Sequence, residues 1–255
     1  MAFAKYPVCR FLTVPVLKGN KQFASAGTKS RIKSMFNLMF DYAVEYELTD
    51  RNYARTFKIT DNVINEMETV HNAHISFKDW EIDKLWNHVE DVPYVDLVLI
   101  HCYLGVRPQE LGLFELENVD LENNTMKGGM KTDAGKNRIV PIHSKIKDLV
   151  VEKYKQAEKL ESKYIFNCTD AKNGRTFLTY DKYRHRFVNV VNVLKLNPDH
   201  RPHDPRKHFI TMAKKYEVDE YAIKYIVGHA INDITERVYT DREIDWLKAE
   251  IEKIK

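Results

Sequence analysis

Apolar residues recur at helical intervals over most of this chain. In residues 27–47 (GTKSRIKSMFNLMFDYAVEYE), Ile32, Met35, Phe36, Leu38, Met39, Phe40, Ala43 and Val44 keep that spacing, which predicts an amphipathic helix. Residues 60–76 are polar and lack strong periodicity, so they read as a linker. A new domain opens at Ser76. Ser76 and Asp79 have the spacing of a capping box, and Phe77, Trp80, Ile82, Leu85, Trp86 and Val89 continue at helical intervals. Residues 94–104 (YVDLVLIHCYL) read as a buried helix that ends at Gly105, a natural helix stop. Three short extended pieces follow, around Val119, at Thr125–Lys127 and at Arg138–Ile142. Asn123-Asn124 and Asp133-Ala134-Gly135 supply the turns of a small antiparallel sheet. Helices are predicted again over about 144–160, 179–194, 204–216, 218–228 and 242–254. The pattern is mainly α with one small sheet: a helical N-terminal piece, a linker, and a mostly helical domain.

Composition changes this picture little. With 255 residues, 30% of them charged, and only nine glycines and eight prolines, the chain is long enough for a sizeable core and reads as a helix-rich globular protein. No stretch approaches the roughly 18 apolar residues of a membrane span. The N-terminus lacks the compact apolar core of a signal peptide, so a cytoplasmic protein without a membrane partner is expected. Cys9, Cys102 and Cys168 lie far apart and form neither a zinc-ligand pattern nor a disulfide framework. Charge is informative in its distribution. Residues 1–60 hold ten Lys/Arg against four Asp/Glu, while the whole chain is only +3. A basic first segment suits an anionic polymer, and a solvated charged surface explains it equally well. Lys29, Arg31 and Lys33 crowd the start of the first helix, where they oppose the helix dipole; phosphate contact is one reason for them and chance the other.

Four patches carry candidate chemistry. Gly105-Val-Arg-Pro-Gln-Glu-Leu places Arg107 after a helix-ending glycine. Lys131 opens a hairpin tip, KTDAGKNR. His203-Asp-Pro-Arg206 forms an HxxR element, in which Asp204 is expected to be the helix N-cap and Pro205 the first helical residue. Gly228-His229 is followed, ten residues after the histidine, by Tyr239. Alone, each is weak: a surface arginine pairs with a nearby glutamate, turn lysines are solvated, and most of fourteen tyrosines pack in cores or interfaces.

In this order, GVRPQELGL, MKTDAGKNRIVPI, HDPRKHFIT and VGHAINDITERVYTD closely resemble the tyrosine recombinase (phage integrase) family, over about residues 76–241. The resemblance implies a partial helical core-binding domain in residues 1–70 with a linker to about 75, and a catalytic domain over 76–241. A C-terminal helix over 242–255 would dock on a neighbouring subunit or on its own domain. It implies a site-specific recombinase that serves integration or excision of a mobile element. Tyr239 would be the nucleophile and Arg107 and Arg206 would grip the phosphate. His203 would take the tyrosine proton, His229 would bond the same phosphate, and Lys131 would protonate the leaving 5′-oxygen, with Lys136 as its rival. The product would be a 3′-phosphotyrosyl link, formed without metal or other cofactor. The implied partners are double-stranded DNA, further copies in a homotetramer, and accessory DNA-bending proteins. Since the first 70 residues match only the later part of the family's core-binding domain, the chain reads as a fragment or a reduced member.

The chemistry agrees with these roles. Attack on a phosphodiester gathers charge on non-bridging oxygens, which guanidiniums grip in bidentate fashion. A tyrosine of pKa about 10 is ionised only at the ~0.1% level at pH 7, so it needs a base or cationic neighbours. Further phosphate contacts are sought at Lys29, Arg31, Lys33, Lys207 and the segment around Tyr183, Arg184 and Arg186. Two other functions fit parts of the pattern: a type IB topoisomerase, and a DNA-binding factor that has lost catalysis.

Overall fold

The computed structural model describes residues 17–18, 22–23, 26–56, 74–129, 137–167, 178–229 and 244–255. The chain divides into two compact units, residues 1–73 and 74–255. In the first, strands β1 (Leu17–Lys18) and β2 (Gln22–Phe23) pair antiparallel ahead of the long helix α1 (Ala26–Glu45). A 3-10 turn at Tyr53–Arg55 folds back on α1. Asn52 Nδ2 donates to Asn37 O and Asp41 Oδ1, Arg55 pairs with Asp41, and Tyr53 packs edge-on against Phe40. Much of α1's apolar surface remains exposed, including Met35, Leu38, Met39, Tyr42 and Val44.

The second unit is built around α3 (Val95–Leu104), a helix apolar on nearly every side and buried at every residue but Asp96. Such a helix belongs in the middle of a domain. It packs chiefly against α7 (Asp204–Lys215) and also meets α2 (Asp79–Asn87) and α5 (Lys147–Lys159). Asp96, its one polar outward residue, pairs with Lys153 of α5. The chain leaves α3 through Gly105, whose φ is +64°. A Cβ there would also lie 2.3 Å from the ring of Phe209, so both conformation and space demand glycine.

A one-turn helix, α4 (Pro108–Leu111), leads to a three-stranded antiparallel sheet of β3 (Val119–Asp120), β4 (Thr125–Gly128) and β5 (Arg138–Pro141), with β4 in the middle. Met126 pairs with Val119 on one side and Val140 on the other. Helices α6 (Tyr180–Val193) and α8 (Glu220–Val227) complete the core, which includes Leu85, Leu99, Leu104, Met126, Phe187 and Phe209. Burying each of these side chains contributes about 1.5–3 kcal/mol. This is the mainly α fold with a small antiparallel sheet that the periodicity predicts. Among the described residues, no helix is long and apolar enough to cross a membrane.

The C-terminal helix α9 (Ile244–Ile251) lies against β5 of its own chain. Leu247, Ile251 and Ile254 are buried, whereas Ile244 at the head of the helix is exposed. Ser144 donates from N and Oγ to Glu252, and the Asp219 N–H donates to Glu250.

Two local expectations are corrected. Helix α2 starts at Asp79, and its capping carboxylate is Glu81, which accepts the Lys78 N–H at 2.9 Å; the Ser76 hydroxyl instead meets His208 and Phe77. At α7 the N-cap position is His203, and Asp204 is the first helical residue. The Asp204 carboxylate does not cap this helix because four other donors claim it: Ile75 N, His74 Nδ1, Arg201 N and His200 Nδ1.

Candidate active site

The site is organised by the C-terminus of α8. Gly228, with φ +68°, closes the helix, whose own bonding at this end reaches back to the Lys224 and Tyr225 carbonyls. The carbonyls beyond them lack helical partners, and three arginines from three elements occupy them in succession. Arg138, at the head of β5, donates Nε to Ile226 O at 2.8 Å. Arg206, in α7, donates Nη1 to Val227 O at 2.6 Å and to Gly105 O at 3.1 Å. Arg107, just ahead of α4, donates Nη2 to Gly228 O at 3.1 Å. The partial negative charge of a helix end makes it a suitable seat for cations.

One carboxylate holds two of the three. Glu110 is 1% exposed. Its Oε2 accepts Arg138 Nη2 at 2.7 Å and the Arg107 N–H at 3.0 Å, and its Oε1 accepts Arg107 Nη1 at 2.9 Å. Burial works against its charge, but Arg138 and Arg107 outweigh burial and hold its pKa below the ordinary value. Burial, reinforced by the charge of Arg107, pushes Arg206 down to about 10, which still leaves it charged at neutral pH. Among the described residues nothing bonds Nε or Nη2 of Arg206, so one face of its fork remains open to an anion.

Two imidazoles complete the described part. His203 stands at the N-cap of α7 and His229 one residue past Gly228. For His203, burial first, then the neighbouring His74 and Arg206, lower the pKa. His229 reaches solvent; partial burial together with Arg206 and Arg107 lowers it likewise. Both are therefore neutral at pH 7. Neither ring makes a hydrogen bond to any described residue, so each offers one N–H and one lone pair.

Of the six expected catalytic residues, the structure gathers Arg107, His203, Arg206 and His229; Lys131, its rival Lys136, and Tyr239 lie outside the described residues. Among the expected phosphate contacts, Arg31, Arg184 and Lys207 are exposed and Lys33 is half-buried. Lys29, Tyr183 and Arg186 are buried. Arg186 donates to Asn167 O at 3.1 Å and lies over the Tyr94 ring, and the Tyr183 hydroxyl bonds His101. The sequence reading also passed over Arg138 and His101. His101 is fully buried beneath the loop that leads to Arg107. It bonds Val106 O through Nε2 and accepts from Tyr183 through Nδ1, and burial pushes it down to about 3. The RIVPI segment marks a strand, yet nothing local distinguishes Arg138 from a surface arginine.

Residues 76–244 match the model of the phage integrase family. No curated protein sequence matches the chain. Among solved structures, the fold is similar to the Tn1549 transposon integrase in complex with circular intermediate DNA, with a TM-score of 0.68 and 18% identity over 96% of this chain and 82% of that one. It is also similar to a lambda integrase dimer bound to a COC' core site (TM-score 0.62, 14% identity, 87% of this chain and 61% of that one). A third is the integrase from mycobacterium phage Brujita (TM-score 0.56, 14% identity, 97% and 78%).

Proposed function

Since this chain belongs to the phage integrase family and is a site-specific recombinase that cuts and rejoins DNA, we propose that the cluster at the end of α8 is its phosphate-binding centre and that Tyr239 is its nucleophile. The observation that carries this is the buried Arg206 fork, whose Nε and Nη2 no described residue bonds, beside Arg107 and two neutral imidazoles. A buried guanidinium with an open edge is completed by an anion, and a phosphodiester gains negative charge as it is attacked.

In the reaction, Tyr239 Oη attacks phosphorus and its proton passes to neutral His203. Arg107 and Arg206 hold the non-bridging oxygens while His229 donates a hydrogen bond to one of them. Lys131 (or Lys136) protonates the departing 5′-oxygen. The products are a 3′-phosphotyrosyl link and a free 5′-hydroxyl. The phosphotyrosyl bond keeps the energy of the broken phosphodiester, so rejoining runs by the reverse steps without ATP or metal. Arg31, Lys33, Arg184 and Lys207 serve as contacts to the duplex backbone. The enzyme works in the cytoplasm on the integration or excision of a mobile element. It assembles as a homotetramer in which α9 leaves its seat on β5 of its own chain for the same seat on a neighbouring copy, assisted by DNA-bending proteins.

The test uses a pool of nicked duplexes with a randomised central region, in EDTA, with covalent adducts trapped in detergent. Adducts formed by the wild-type protein and absent from Tyr239→Phe, which keeps its affinity for the pool, support the reading. Adducts from Tyr239→Phe would overturn the nucleophile assignment. Deleting residues 243–255 separates the tetramer: unchanged cooperativity of DNA binding would exclude docking on a neighbour.

A further inference from the structure

Next to the arginine cluster lies a second set of buried ionisable groups to which the mechanism above gives no part. Asp204, directly after His203, is fully buried. Its Oδ2 accepts the Arg201 N–H at 2.9 Å and His200 Nδ1 at 3.0 Å, and its Oδ1 accepts His74 Nδ1 at 3.1 Å and the Ile75 N–H at 3.3 Å. His200 reaches on to Glu81, which is anchored by the Lys78 and Asn197 N–H groups. Asp204 is thereby fixed from both sides, and fixes His74 in turn. The carboxylate is ionised and only accepts, so Nδ1 of His74 is the protonated nitrogen.

His74 comes from 130 residues earlier in the chain than Asp204. Its ring lies 5.1 Å from that of His203, with the two planes inclined by 35°. A histidine side chain turns about two torsions, and His203 makes no hydrogen bond to a described residue that would settle either of them. The wall formed by His74 is a packing constraint on that ring, and it is itself held by a saturated buried carboxylate.

We propose that His74 is a positioning residue: its ring, anchored by Asp204, sets the orientation in which His203 meets the nucleophile's proton. The inference rests on the assignment of His203 as the proton acceptor. Proton transfer demands hydrogen-bond geometry, and misplacing a catalytic group by about 1 Å costs up to about a hundredfold in rate. The ring surface, rather than the bond to Asp204, is the working feature. Asp204 keeps three donors without His74, whereas His203 loses the face against which it packs.

The experiment follows single-turnover adduct formation on the nicked-duplex pool, with affinity for the pool and thermal melting measured in parallel. His74→Ala is expected to slow adduct formation about tenfold to a hundredfold, with affinity unchanged within about twofold. His74→Phe, which keeps an aromatic face, restores the rate to within about threefold of wild type. His74→Asn, which keeps a donor for Asp204 without a ring, stays slow. If His74→Ala fails to fold, the contrast between Phe and Asn still decides. Rescue by Asn and not Phe, wild-type rates for Ala, or equal losses of rate and affinity would each overturn the inference. His203→Gln separates the layers. A slow His203→Gln beside a fast His74→Ala sinks the positioning role alone, while a fast His203→Gln sinks the proton-acceptor assignment and the inference together.

Discussion

Two ionic clusters sit a few residues apart in the second unit, and their charge balance differs. At the end of α8, Arg107 and Arg138 bond the carboxylate of Glu110, and Arg206 lies beside them on two backbone carbonyls. At the start of α7, the carboxylates Glu81 and Asp204 flank one buried imidazole, His200. Burial opposes a charge on His200, but its hydrogen bonds to Asp204 and Glu81 more than offset burial and raise its pKa. In the second cluster every lone pair and proton has a partner inside the protein. In the first, among the described residues, one edge of Arg206 and two imidazoles are left over. Removing charge from water is costly unless partners replace the water. An internally satisfied cluster is therefore architecture, and an unsatisfied one is a site that its ligand completes.

The largest test removes a guanidinium from the unsatisfied cluster. Arg206→Ala should lower adduct formation about a thousandfold or more, because the developing oxyanion loses a bidentate donor. Arg206→Lys should not rescue it: one ammonium cannot hold the Gly105 and Val227 carbonyls and also fork a phosphate. A Lys variant within tenfold of wild type would refute this geometry.

The next change is the same in both clusters and should read out differently. Glu110→Gln breaks the ion pair of Arg138, whose side chain is 1% exposed, with Glu110, and loosens Arg107. Breaking a buried pair costs about 3–5 kcal/mol, and adduct formation should fall as well. Glu81→Gln leaves amide oxygen and N–H groups in place of a carboxylate that accepts from Lys78, Asn197 and His200. It should cost about 1–3 kcal/mol in urea unfolding and leave the rate per folded molecule within about twofold. A Glu81→Gln enzyme that folds normally but cleaves slowly would erase the distinction between the clusters.

Protonation shifts the same balance more gently. His200, with its pKa raised, stabilises the fold fully below about pH 6.5, and this contribution fades as pH rises through its folded value. His208 behaves oppositely. Burial pushes it down to about 4, so its contribution is complete above the unfolded value and is lost as pH falls from 6.5 towards 4. That acid limb is on the order of 3 kcal/mol. Urea midpoints should therefore trace a dome. His208→Gln should make its acid side shallower, with His101 still contributing there, and His200→Gln its alkaline side; unchanged limbs would contradict the assigned directions.

How far these features were legible follows from where their causes lie. The stop at Gly105, Pro108 at the head of α4, and the all-round apolar α3 are local, and the sequence shows them directly. So are the residue types at 107, 203, 206 and 229. Burial is not local. Arg186 and Lys29 look like any surface cation until a partner such as Asn167 or a covering element is in place. Arg138 finds Glu110 across 28 residues and Ile226 across 88. Asp204 has an ideal capping sequence, yet donors from His74 and Ile75 prevail over the cap, and no local window contains them.

The smallest prediction sets a cation that stayed on the surface beside one that did not. Lys207 is exposed on α7, next to Arg206 in sequence. Lys207→Gln should weaken binding to the duplex pool by about 0.5–1 kcal/mol and reduce the slope of log affinity against log salt by about one, as loss of a single phosphate contact requires. Arg186→Gln should leave that slope unchanged while lowering stability, since its guanidinium is tied to the Asn167 carbonyl and the Tyr94 ring. If instead Arg186→Gln flattens the salt dependence and Lys207→Gln does not, the surface that meets DNA lies over α6, and the burial of Arg186 is relieved when DNA binds.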